Sequence, residues 1–202
     1  MAREYLQGSM FDRPEWQTHV KTNRITTKER VLGHMIGPGF VYFFYSTLMS
    51  LRELFYMDVL RINEVFGNAY TYLVMTTVTT IIGMLTGIGI AHITEKTGCK
   101  AGRFRPYVLM GTWIMALAGF FVFWSPFESG TIPQLIWLYV FNICFTAIGV
   151  PLWNLRGNVV SVISRNVLER NNITTIRSAV TVMIAGLVGA MGIIGFLYPN
   201  VL

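Results

Sequence analysis

The stretch "TEKTGCKAGRFRPY", 94–107, gathers four positive side chains, Lys96, Lys100, Arg103 and Arg105, with Gly98 and Gly102 between them and Pro106 near its end. Basic residues at that density serve an anion, a nucleic-acid backbone or one side of a membrane. A second stretch, "GVPLWNLRGN", places Pro151 inside an apolar run, where it removes a backbone donor and bends a helix. Gly149 before it and Trp153 after it make the bend either a cavity wall or an ordinary packing kink. Arg52 and Glu53 are charged neighbours, which a helix points about 100° apart, and they read as snorkelling or bundle-packing residues. Arg177 opens another apolar run, at an interface or in a site. His19, His34 and His92 are scattered, and Cys99 and Cys144 have neither metal-ligand spacing nor a disulfide framework. No nucleophile–base pair, carboxylate pair or metal constellation stands at workable spacing, so the chain does not read as an enzyme.

These residues are embedded in an apolar chain. It is 53% hydrophobic and 13% charged, about half the charge of an ordinary soluble domain. Five runs reach the roughly 20 apolar residues needed to cross a bilayer. They lie near His34–Met57, Tyr70–Ile93, Tyr107–Trp124, Pro133–Leu155 and Arg177–Pro199. The runs are continuous and not alternating, which favours helices over strands. The expected fold is therefore all-α, a polytopic transmembrane bundle over 33–202, preceded by a leader over 1–32. That leader carries both signs of charge and no apolar core, so it is no signal peptide; a short amphipathic piece is expected around Phe11–Val20.

Positive residues flanking spans are retained on the cytoplasmic side. The leader, the gap after the second run and the gap after the fourth hold nearly all the Lys and Arg, while the first gap has Arg61 and the third has none. The N-terminus is thus expected inside, in a plasma or inner membrane. The net charge of +6 needs no nucleic acid to account for it. Small residues recur four apart in the second run (Gly83, Gly87, with Gly89 beyond) and in the fifth (Ala185/Gly189, Gly186/Ala190). Both spans should have a face on which a helix can lie closely.

Several stretches then stand together in order: "KERVLG", "FYMDVL", "GRFRPYVLMG", "VPLWNL" and "ERNNITTIRS". In order and spacing they resemble the glycoside–pentoside–hexuronide:cation symporters, the melibiose-permease-like branch of the major facilitator superfamily. The resemblance runs from about Lys28 to the C-terminus, and "GRFRP" is its most specific element. It implies a sugar:cation symporter-like carrier segment with Na⁺ or H⁺ as coupling ion and a sugar, glycoside or sugar acid as substrate. Gly102, Arg103, Arg105 and Pro106 match the family's basic turn, with Glu95 at its acidic position and poised to pair with a basic neighbour. Trp153 and Arg177 match substrate-binding residues, Trp153 by stacking on a sugar face and Arg177 by donating a fork of hydrogen bonds. Tyr42 and Gly149 occupy positions where the family uses sugar-binding aspartates, and Gly83 and Gly87 those of its cation-binding aspartates. The two-half architecture of such carriers implies partner helices beyond these five. Two alternatives stand beside this reading: a scaffold that kept the fold without transport, or a carrier of a lipid-like solute.

Overall fold

A computed structural model describes residues 5–17, 26–163 and 166–197. Among them regular structure is helical, apart from one isolated parallel bridge between Tyr5 and Thr97. The long helices are α1 (Gly37–Leu54), α2 (Thr71–Lys96), α3 (Arg105–Phe123), α4 (Ile132–Val160) and α5 (Val167–Leu197). Four of them, α2 to α5, contain stretches long and apolar enough to cross a membrane. α1 is flanked by π-helical turns at Glu29–Ile36 and Phe55–Val59, which extend the first expected span at both ends. An all-helical build is what the apolar runs require, since only a helix satisfies every backbone group within its own segment.

The chain divides into two compact units: Met1–Val20 with Leu54–Val159, and Lys21–Glu53 with Val160–Leu202. In the first, Pro106 and Pro133 open α3 and α4, where the missing proline N–H costs nothing. One core gathers Tyr56, Ile62, Met75, Val122 and Leu138. The other gathers Tyr107, Leu152 and Leu155, with Leu6, Ile90 and Phe104 packed on it. α3 and α4 cross at backbone distance: a Cβ added to Gly111 would stand 2.6 Å from the Trp153 nitrogen, and one on Gly149 2.7 Å from Met115 Cγ. Glycine at both positions is what permits the crossing.

Polar side chains tie α2 to α4. Asn142 Nδ2 donates to Thr79 Oγ1 at 2.9 Å, with both side chains buried. Further along, α4 becomes π-helical from Ile143 to Gly149. In an α-helix the nitrogen of Pro151 would face the Ala147 carbonyl, and proline cannot donate. That carbonyl accepts the Thr86 hydroxyl instead. The bend expected at Pro151 thus takes the form of a π-helical segment sealed by a neighbouring helix.

In the second unit α1 and α5 lie side by side. Arg30 pairs with Glu169 at 3.6 Å, and a Cβ on Gly39 would meet Val180 Cγ1 at 3.0 Å. Both contacts advance together in residue number, so the helices run parallel. α5 begins at Val167, ten residues before the start expected at Arg177. The Asn166 side chain accepts the Leu168 N–H at 3.0 Å, the bond of an N-cap. The polar residues that suggested a loop are therefore the capped first turns of a helix. The expected end of that span at Pro199, and part of the proposed amphipathic piece, Thr18 to Val20, lie outside the described residues.

The small-residue faces are used unevenly. A Cβ on Gly83 would touch Ala147 at 3.6 Å, an ordinary contact, while at Gly87, Gly89, Gly186 and Gly189 it would meet nothing within 4 Å. The tight crossing of the first unit is at Gly111 and Gly149, outside the stripes that the four-residue spacing singled out.

Candidate functional site

The basic loop is a folded turn with few degrees of freedom left. Thr97 is fully buried at the end of α2, its hydroxyl bonded to the Ile93 carbonyl at 2.9 Å and to Tyr107 Oη at 2.7 Å. This ties the end of α2 to the first turn of α3. Gly102 has φ +89°, a left-handed conformation that glycine adopts without a Cβ penalty, and its N–H donates to the Cys99 carbonyl at 3.0 Å. Arg103 lies over the Phe104 ring at 4.6 Å, Arg105 is the exposed first residue of α3, and Pro106 is buried behind it.

Glu95 is exposed, and among the described residues no ion pair joins it to the loop's basic side chains. The carboxylate that reaches the loop is that of Asp12, in the leader. Asp12 accepts the Lys100 N–H through Oδ1 and the Gly8 N–H through Oδ2, each at 3.1 Å. The Gly8 and Lys100 amides hold its carboxyl below the ordinary value of 3.8. Burial moves the neighbouring Cys99 thiol the other way, upward.

In α4, Trp153 is 3% exposed, and Arg156 places its guanidinium carbon 3.4 Å from the centre of the indole ring. One face of the expected sugar platform is therefore already covered by a cation–π stack. Arg156 was missed in the sequence, although it stands three residues after Trp153 in "WNLR", one helical turn on. Arg156 is half-buried, so the guanidinium is the more accessible member of a pair whose indole is buried. Gly149, at a position where the family resemblance implies a sugar-binding residue, is buried against Met115 at the crossing of α3 and α4.

In the second unit Tyr42 and Arg177 are both half-buried. Tyr42 lies one turn beyond Gly39 on α1, with its ring centre 6.0 Å from that of Tyr45. Arg177 lies one turn before Val180 on α5, and Gly39 approaches Val180. At 1.5 Å per residue, Tyr42 and Arg177 are thus about 9 Å apart along the parallel axes. Arg52 is buried and Glu53 exposed, which identifies Arg52 as a packed residue and not a snorkelling one. Among the described residues no group of three His, Cys, Asp or Glu could hold a metal ion.

A family model described as "MFS/sugar transport protein" matches residues 33–200. Among curated proteins, the uncharacterized symporter YnaJ of Bacillus subtilis (strain 168) is 28% identical over 158 residues, covering 76% of this chain. The matched part is 32% of that relative's length, so the chain spans about a third of it. No solved structure matches the chain.

Proposed function

The chain belongs to the MFS/sugar transport family, and from that premise we propose that it is the front portion of a sugar-type symporter, completed by helices from a further segment or chain. The substrate is a sugar, glycoside or sugar acid, moved with Na⁺ or H⁺. The observation that carries this reading is the buried Trp153 with Arg156 across its ring, at the bent part of α4 and within the family-matched residues. Secondary transporters build substrate sites where helices depart from regular α geometry, and α4 does so through its π-helical segment just before Trp153. Within the second unit, Arg177 and Tyr42 carry donors of their own on α5 and α1.

The leader, 1–32, and the loop after α2 lie on the cytoplasmic side of a plasma or inner membrane, and 33–202 forms the membrane domain. The distribution of Lys and Arg supports this orientation. The parallel run of α1 and α5 fits the alternation of spans, since the first and fifth cross in the same direction, and it leaves the choice of side to the charges.

Membrane vesicles from cells expressing the chain, which retain whatever helices complete it, provide the test. Uptake of labelled methyl glucoside and methyl glucuronide would be followed with and without Na⁺ and proton gradients. Gradient-driven uptake that depends on the chain and falls at least about tenfold in Trp153→Ala and Arg177→Ala is expected. Uptake equal with and without the chain, when the protein is inserted and folded, sinks the carrier reading in favour of a scaffold.

A further inference from the structure

The family match begins at residue 33, yet residues 5–17 of the leader before it are built into the first unit. Tyr5 donates to the Lys96 carbonyl at 3.3 Å and accepts the Gly98 N–H at 3.2 Å, the two bonds of the parallel bridge that brackets Thr97. The Phe11 carbonyl accepts the Ala101 N–H at 3.2 Å, and Asp12 accepts that of Lys100. Three backbone donors of the basic loop, at Gly98, Lys100 and Ala101, therefore end on the leader. Between these attachment points Leu6 packs on the cluster of Tyr107, Leu152 and Leu155. It does so with φ +64°, a conformation that opposes a side chain of its kind and persists where surrounding contacts hold it. The Ser9 hydroxyl closes the turn on the Leu6 carbonyl at 2.7 Å.

We propose that Tyr5–Trp16 is a strap that fastens the loop between α2 and α3 and, through Leu6, presses on the Leu152–Leu155 end of α4 beside Trp153. A strap so placed sets how freely the loop and that end of α4 can move. Its consequence for transport rests on the carrier reading above: helices that rearrange around a substrate at Trp153 must do so against the strap, and releasing it changes the rate.

Each of these bonds uses a backbone group of the loop, the N–H groups of Gly98, Lys100 and Ala101 or the Lys96 carbonyl, and none of them draws on the four basic side chains. The leader's acceptors are the Tyr5 and Phe11 carbonyls and a single side chain, Asp12. Asp12 and Leu6 are therefore two side chains through which the strap can be cut.

Hydrogen exchange of the full chain in nanodiscs tests the strap without reference to any substrate. The amides of Gly98, Lys100 and Ala101 are the reporters. Gly102, whose N–H is bonded within the loop to Cys99, is the internal control. Asp12→Ala should speed exchange at Lys100 by about tenfold or more, and Leu6→Asp should speed it at all three, with Gly102 and α3 unchanged. Asp12→Asn, which keeps an acceptor oxygen, should fall between wild type and Asp12→Ala. Unchanged exchange at the three reporters overturns the strap, and so does acceleration shared equally by amides throughout α2 and α3. Because exchange reads the strap directly, a chain that shows these shifts but no sugar uptake retains the strap and loses only the carrier reading.

Discussion

The α3–α4 crossing and the faces of α2 and α5 are made of the same small and apolar residues, yet they pack very differently. Within their most apolar stretches, 39% of α3 and 33% of α4 is buried, against 11% for both α2 and α5. Gly111 and Gly149 are each pressed against a neighbouring helix at a distance that no Cβ could share. Gly87 and Gly189 have the four-residue spacing that promises such contact, but no neighbour within 4 Å of a built Cβ. Spacing marks a face able to accept a helix. What decides whether it is used is the bulk supplied from across, here Met115 and the backbone at Leu152 and Trp153.

The contrast is sharpest in a pair of substitutions. Gly111→Val would drive a branched side chain into backbone, which cannot yield as a side-chain tip can, and should cost about 3 kcal/mol or more. Thermal unfolding in detergent should show the folded population collapsing. Gly87→Ala should stay within about 0.5 kcal/mol of wild type. A strong loss at Gly87, or tolerance at Gly111, would reverse the assignment of the packed and open faces.

A smaller effect separates polar from steric tethering. Asn142→Ala removes the buried bond to Thr79, and hydrogen bonds between membrane helices average about 0.6 kcal/mol with a maximum near 1.7. The loss should lie in that range, and most of it should vanish in a Thr79→Val background. Additive losses in the double-mutant cycle would show that Asn142 acts by its volume alone. The smallest expected change is at Thr86→Val, about 0.6 kcal/mol or less. In a Pro151→Ala background the restored N–H can serve the Ala147 carbonyl, so the cost of Thr86→Val should shrink further. An undiminished cost would break the link drawn between the proline and the hydroxyl.

The membrane bundle was legible because the apolar runs are continuous and the basic residues fall in alternate gaps; helix starts at Thr71, Arg105 and Ile132 lie within two residues of the expected ones. The start of α5 was not legible, because Glu169, Arg170, Asn171 and Asn172 look like loop until the Asn166 cap and the Arg30 pair are seen. Trp153, Arg177 and the basic turn were singled out as candidates by their types and flanking residues. Arg156 was not, since only the folded geometry distinguishes a guanidinium placed over an indole from one directed to water. Gly149 shows a steric demand that its sequence position does not announce, since Met115 stands against it. The leader was the least legible part, because its hydrogen-bond partners lie far along the chain and nothing in its own composition names them.

That distance also has a meaning in time. Asp12 and Lys100 are 88 residues apart, so at about 5–20 residues per second the ribosome needs roughly 4–18 s to supply the second after the first. Throughout that interval α1 and most of α2 are being delivered to the membrane while the leader has nowhere to dock. A bulky fusion placed just before Tyr5 would meet that late step and interfere with docking even if it left the insertion of every helix untouched. Residues synthesised early in this chain are among the last to settle.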